Sequence, residues 1–266
     1  MAFGGEVAHH LLERDLDFLV KAVADKRNDH EEVKKIICDK EDLIELMLDD
    51  HKLLSKLEEQ QDEILLISPY LLFSVLLRHV RRELKGRTHT LELVGRERVA
   101  VFDVSRLNDL LDDSNIINYL AELLASFTRV ERGFLVFRMG GKIKAIPFNA
   151  LDLENLLFIA EFLPKGECYP LYHRIGDLCL FTVGILPDHV RKEKTGRQAK
   201  EGLGLEEYTR LGIHYYKKAA QHPASKRFDE EGFLERVADN FQLLAKPLNI
   251  LSEKYIGLKR SQWFAL

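Results

Sequence analysis

The chain has 266 residues, 46% of them hydrophobic and 31% charged, which is enough apolar content for a sizeable core and too much for a disordered chain. Only 16 glycines and 7 prolines disfavour a turn-rich all-β fold, and a net charge of −4 lends no support to wholesale binding of nucleic acid or membrane. No run of 18 apolar residues occurs, the first residues lack the order of a secretory signal, and Cys38, Cys168 and Cys179 form no CxxC pair. These features read as a soluble, cytoplasmic protein with free, buried thiols.

In chain order, a helix is predicted over 6–24, where Leu12, Leu16, Leu19, Val20 and Val23 recur at spacings of three and four. Asn28 or Asp29 caps a short helix around Val33, Ile36 and Ile37, and a third helix covers 40–60. Ser68-Pro69 is an N-cap followed by a first-turn proline. The helix it opens, over 70–85, is apolar early, basic late and stopped by Gly86. The period then changes to two: 90–94 and 98–102 form a hairpin about Gly95-Arg96. Ser105 caps a helix over 106–128 that is interrupted near 112–115. A second hairpin pairs 134–137 with 142–146 through Gly140-Gly141, and Pro147, which has no N–H, belongs at a strand end or edge.

Helices follow over 151–162, 169–186, 205–222 and 232–255, the last kinked by Pro247. Between them, 191–204 (RKEKTGRQAKEGLG) reads as a mobile basic loop. The tail holds the only tryptophan, Trp263, beside Phe264, an apolar end that docks on its own domain or supports a homo-oligomer. The expected fold is mainly α (α+β): a bundle-like body with two inserted antiparallel β-hairpins and about eight to ten helices. The body covers 1–190 with hairpins at about 88–104 and 134–148, and the 205–266 helix pair packs on it as one compact unit. At a spacing of 46 residues the two hairpin–helix segments align, Gly95-Arg96 on Gly141-Lys142 and Leu107, Leu110 and Leu111 on Leu153, Leu156 and Leu157. Such a repeat would join four strands into one small sheet.

Three segments carry candidate chemistry. On a helix His173 and Asp177 share a face, so the carboxylate either orients the imidazole or joins it on a metal; the plain alternative is a polar pair anchoring the helix. This HxxxD resembles part of the ligand set of haem-oxygenase-like di-iron oxidases, but Leu180 stands where that family's further histidine falls. Tyr172-x-Arg174-Ile175-Gly176-x-x-Cys179 recurs 36 residues on as Tyr208-x-Arg210-Leu211-Gly212-x-x-Tyr215. Glycine inside a helix costs about 1 kcal/mol against alanine, so Gly176 and Gly212 mark a close helix crossing. Tyr208, Leu211, Gly212, Tyr215, Ala224 and Phe228 resemble the spacing of a tetratricopeptide repeat, which implies a helix-pair surface for a peptide or protein. Glu231, Arg236 and Pro223 depart from that pattern. The third segment is the hairpins, where Arg96, Arg98, Lys142 and Lys144 would contact phosphates or guard sheet edges.

No Walker A loop, GxGxxG, HExxH or GxSxG is present, and no cofactor is indicated. The function expected is an intracellular, non-catalytic binding or regulatory protein with a protein or small-molecule partner. Tyr172, His173, Arg174, Asp177, Arg210, His214 and Tyr215 would line an inter-helix cleft for an anionic small molecule or acidic peptide. One alternative is a metal-dependent, non-haem enzyme with His173 and Asp177 as ligands. The other is a nucleic-acid-associated protein using Arg96, Arg98, Lys142 and Lys144.

Overall fold

The computed structural model describes residues 7, 10–38, 40–59, 66–94, 97–129, 132–139, 142–187, 190, 203–227, 230–257 and 264. The fold is mainly helical with two small antiparallel hairpins, and among the described residues it has thirteen α-helices. It divides into two compact units, the first ending at Ser126 and the second beginning at Phe127. The division falls inside the stretch 1–190 read above as one body. No helix among the described residues is long and apolar enough to cross a membrane.

The first unit contains α1 (Glu13–Val23), α2 (His30–Cys38), α3 (Glu41–Leu48), α4 (Lys52–Glu59) and α5 (Pro69–Lys85), then β1 (Thr90–Val94), β2 (Glu97–Val101), α6 (Val104–Leu111) and α7 (Ser114–Ser126). Ser68 caps α5 as its sequence requires: its Oγ accepts the Leu71 N–H at 3.1 Å. Leu71, Phe73, Val75, Leu77, Val80 and Leu84 of α5 are buried with Ile116, Leu120 and Leu124 of α7, and these two helices form the core. The single helix expected over 40–60 is two helices. Asp50 breaks it by accepting the Lys52 N–H at 2.8 Å, which starts α4. Ser105 does not cap α6. Val104, buried, is already helical, and the N-cap residue Asp103 gives its carboxylate to the Thr90 hydroxyl at 3.0 Å. The interruption near 112–115 is present, with Asp113 accepting the Asn115 N–H at 3.0 Å.

The second unit contains β3 (Arg132–Met139), β4 (Lys142–Asn149), α8 (Leu153–Phe162), α9 (Tyr169–Ile185), α10 (Leu205–Ala220), α11 (Pro223–Arg227), α12 (Glu231–Asp239) and α13 (Phe241–Leu251). Asp152 caps α8 through the Asn155 N–H at 3.0 Å. The apolar α9 is the central element and packs on α10 and α13. Its Phe181 stacks on Phe127 at 4.3 Å and meets Phe264 edge-on at 4.9 Å, so the tail phenylalanine docks within its own unit. Trp263 lies outside the described residues. The helix expected over 232–255 breaks at Asn240, whose side chain donates to the Arg236 carbonyl at 2.9 Å, while Pro247 is carried inside α13. Pro223 opens a separate five-residue helix, unlike the second helix that the tetratricopeptide resemblance implies.

The strands form two separate two-stranded sheets and not one sheet of four. The pairing sets Val94 opposite Glu97 in the first hairpin and Met139 opposite Lys142 in the second, and the residues between them, where the sequence places its turns, lie outside the described residues. These flanking pairs stand 45 residues apart and not 46, and a slip of one residue exchanges strand faces. The two units are alike as hairpin–helix motifs, but not residue for residue.

Candidate functional site

The two glycines do mark a helix crossing. A Cβ on Gly176 would come within 2.7 Å of the Tyr216 ring, and one on Gly212 would enter the Phe241 ring and lie 2.9 Å from Cys179 Cβ. Absent side chains at these points let α9 and α10 approach closely, with buried rings filling the space. The sequence expectation placed a ligand cleft between these helices, but at the crossing the interface is packed.

Two of the expected residues, His173 and Asp177, are drawn to this interface, and they answer to a third that the sequence reading missed. His173 Nδ1 lies 3.0 Å from one Asp177 carboxylate oxygen, and the Tyr216 hydroxyl donates to the other at 2.8 Å. All three are buried, and the His173 ring stands edge-on to Tyr216 at 6.1 Å. Burying a carboxylate is expensive unless its lone pairs are occupied, and here both oxygens are. The pair is thus a helix anchor with a second strut from α10. Among the described residues, no group of three His, Cys, Asp or Glu side chains is placed to hold a metal ion. His173 and Asp177 therefore find no third protein ligand there.

The other expected residues sit nearer the surface. Tyr172 and Tyr215 are half-buried with ring centroids 5.7 Å apart, and the Lys218 ammonium lies over both rings at 5.4 and 5.0 Å. Burial raises both phenols, helped by Cys168 at Tyr172 and by Glu161 at Tyr215. His214 is exposed, and its imidazole is lowered by partial burial and then by Lys218. Arg210 is exposed one turn earlier. Arg174 turns the other way, its guanidinium 3.8 Å over the Phe127 ring. The two arginines therefore do not converge. Residues 191–202, the greater part of the expected basic loop, and Arg96 lie outside the described residues; Arg98, Lys142 and Lys144 are placed on strands.

Beyond Tyr216, the reading also missed Tyr169, His222 and Glu230. Tyr169 donates its hydroxyl to the buried Glu230 carboxylate. His222 Nδ1 accepts the Ala224 N–H at 3.1 Å, so Nε2 carries the proton toward the Lys165 carbonyl at 2.8 Å. Only Tyr216 had a usable signal: it lies four residues after the crossing glycine Gly212, on the same side of α10. No family model, curated protein or solved structure matches this chain.

Proposed function

We propose that this protein is an intracellular, non-catalytic binding module whose α10 surface recognises a carboxylate- or phosphate-bearing ligand, as an acidic peptide or a small anion. The observation that supports this reading is a stripe of basic side chains. Arg210, His214 and Lys218 follow one another at intervals of four, all exposed, with Lys218 over the half-buried rings of Tyr172 and Tyr215 and His214 against Tyr215. Cations on one helix face with aromatic walls suit an anion with an apolar portion. The His173–Asp177–Tyr216 network holds α9 against this helix and fixes the two tyrosines, without touching the ligand.

His214 gives the reading its sign. Partial burial and then Lys218 hold its imidazole below the usual histidine range, and an anion placed beside it favours the protonated form. Binding should therefore tighten as pH falls through the range in which His214 takes up its proton. The test is calorimetric titration with a triglutamate peptide and with inorganic phosphate, alongside nuclear magnetic resonance of the His214 ring. Saturable binding that raises the His214 pKa and vanishes in Arg210→Ala plus Lys218→Ala supports the reading. Equal binding by that double variant overturns it.

A further inference from the structure

The β3–β4 hairpin carries charge and apolar surface in an order that specifies a partner. From 132 to 149 it holds Arg132, Arg138, Lys142 and Lys144 and no acidic residue, in a chain whose net charge is −4. By register, Arg132, Phe134, Val136 and Arg138 of β3 share a face with Asn149, Pro147, Ala145 and Ile143 of β4. The centre of that face is uncovered: Phe134 is 70% exposed, Val136 66% and Ile143 70%. By register, positions 132 and 138 of β3, both arginine, flank Phe134 and Val136 and stand about 20 Å apart along the strand. At the Arg132 end, a groove of about 510 Å³ opens between Phe134, Pro147 and Phe148 and the start of α8 at Asp152 and Asn155.

The edges of the hairpin are not equivalent. Pro147 removes a backbone donor from β4, whereas β3 runs eight residues without proline, and among the described residues it pairs with β4 alone. Two-stranded sheets are marginal in water, and a third strand on β3 would cover the face and satisfy the edge. A second copy of β3 fits poorly: antiparallel pairing centred on Leu135 would set Arg132 opposite Arg138 at both ends, like charge against like. Single-stranded nucleic acid would need aromatic platforms, and the exposed face offers one aromatic, Phe134, among aliphatic groups.

We propose that the outer edge of β3 accepts an extended strand from a protein partner. The strand carries acidic residues at both ends of an alternating apolar segment, in the order acid–x–apolar–x–apolar–x–acid. Main-chain bonds to the edge supply affinity, the apolar residues cover Phe134 and Val136, and the terminal carboxylates meet Arg132 and Arg138. This site is separate from the α10 stripe and stands without it.

The experiment uses the full chain and the capped peptide Glu-Ser-Val-Thr-Val-Ser-Glu, with Lys-Ser-Val-Thr-Val-Ser-Lys as control, read by calorimetry and by backbone amide spectra. The acidic peptide should bind saturably and perturb amides of β3 while leaving α10 unmoved. Arg132→Glu with Arg138→Glu should weaken it roughly tenfold and transfer the preference to the lysine-flanked peptide. That gain of binding separates a charge effect from a folding defect. N-methylation of alternate peptide residues should abolish binding in one register and spare it in the other. The proposal is overturned if wild type binds both peptides equally, if the perturbed amides centre on Arg210 and Lys218, or if a thymidine oligonucleotide binds more tightly and displaces the peptide.

Discussion

Each unit buries a polar network, and the two are made of opposite materials. In the first, Arg78 of α5 is 1% exposed. It binds Glu45, the Asn118 amide oxygen at 3.0 Å and Asp49 at 3.4 Å, while Asn118 also donates to Glu45 at 2.7 Å. Arg81 adds a 2.6 Å contact to Asp49. In the second, one carboxylate is held by one turn of its own helix and one hydroxyl from the neighbouring helix. The first network is a set of full charges that three helices must deliver together. The second centres on one carboxylate, whose support comes mainly from close packing around it. Removing a member should therefore cost more in the first unit, whereas the second should be most sensitive to added volume.

The largest effect expected is at Arg78. Replacing both partners of a buried ion pair by apolar groups is often nearly neutral, but removing one strands the other. Arg78→Ala leaves Glu45 and Asp49 facing each other across the site, and should cost about 3 kcal/mol. That is the low end for such pairs, because both carboxylates keep some access to water. Arg78→Lys should recover little, since a single ammonium cannot span Glu45 and Asn118 as the guanidinium does. Urea denaturation of both variants checks this, and a loss below about 1 kcal/mol would erase the contrast between the units.

The second unit should respond to volume before it responds to polarity. Gly212→Ala gains about 1 kcal/mol of helix propensity, yet its methyl would meet Phe241 and Cys179, neither of which has room to move. A net loss of about 2 kcal/mol is expected. Gly176→Ala should lose about 1 kcal/mol, since the three atoms nearest its methyl all belong to the Tyr216 ring, at 2.7–2.9 Å and so less tightly than at Gly212. Tyr216→Phe keeps the ring against His173 and removes only the donor to Asp177. Its cost, about 1–1.5 kcal/mol, isolates the hydroxyl. If Tyr216→Phe proved more damaging than Gly212→Ala, polarity and not packing would govern this crossing.

What the sequence made legible follows the same line. His173–Asp177, Gly176, Gly212 and the Ser68-Pro69 start of α5 all declare themselves within one or two helical turns, because their spacing is local. The Arg78 network does not: its partners lie 33 and 40 residues away, and Glu45 to Asn118 spans 73. Asp15 is equally hidden. It is fully buried and accepts both the Leu12 and Ser68 backbone N–H groups, the second 53 residues distant. Helix breaks at Asp50 and Asn240 were missed for a related reason: a short polar side chain in an amphipathic run caps or continues depending on what its neighbours offer. For the residues expected at the site, the direction of each side chain was not legible. Arg174 and Arg210 recur at equivalent places in the 36-residue echo, yet one turns to Phe127 and the other to solvent.

The smallest effect expected concerns the same chemical partners as the Arg78 network, placed in water. Arg27 and Asp29 form a two-pronged pair between α1 and α2, with Arg27 Nε donating to Asp29 Oδ1 at 2.7 Å. The bond from Arg27 holds the Asp29 carboxyl down to about 2, against an ordinary value of 3.8. A carboxyl lowered in the folded state stabilises the protein above pH 4, and that contribution is lost as pH falls toward 2. Both groups are solvated, so screening leaves the pair little influence on stability at pH 7. Arg27→Ala should therefore return the Asp29 titration toward its ordinary value, read by carbon-13 nuclear magnetic resonance, with scarcely any change in the urea midpoint. Asp29→Ala should cost more than Arg27→Ala, because Asp29 also begins α2, its carbonyl accepting the Glu32 and Val33 N–H groups and its charge facing the helix N-terminus. Both should stay below Tyr216→Phe. A loss from Arg27→Ala equal to that from Tyr216→Phe would mean that the solvated pair matters as much as the buried hydroxyl, and that burial does not set the order of these effects.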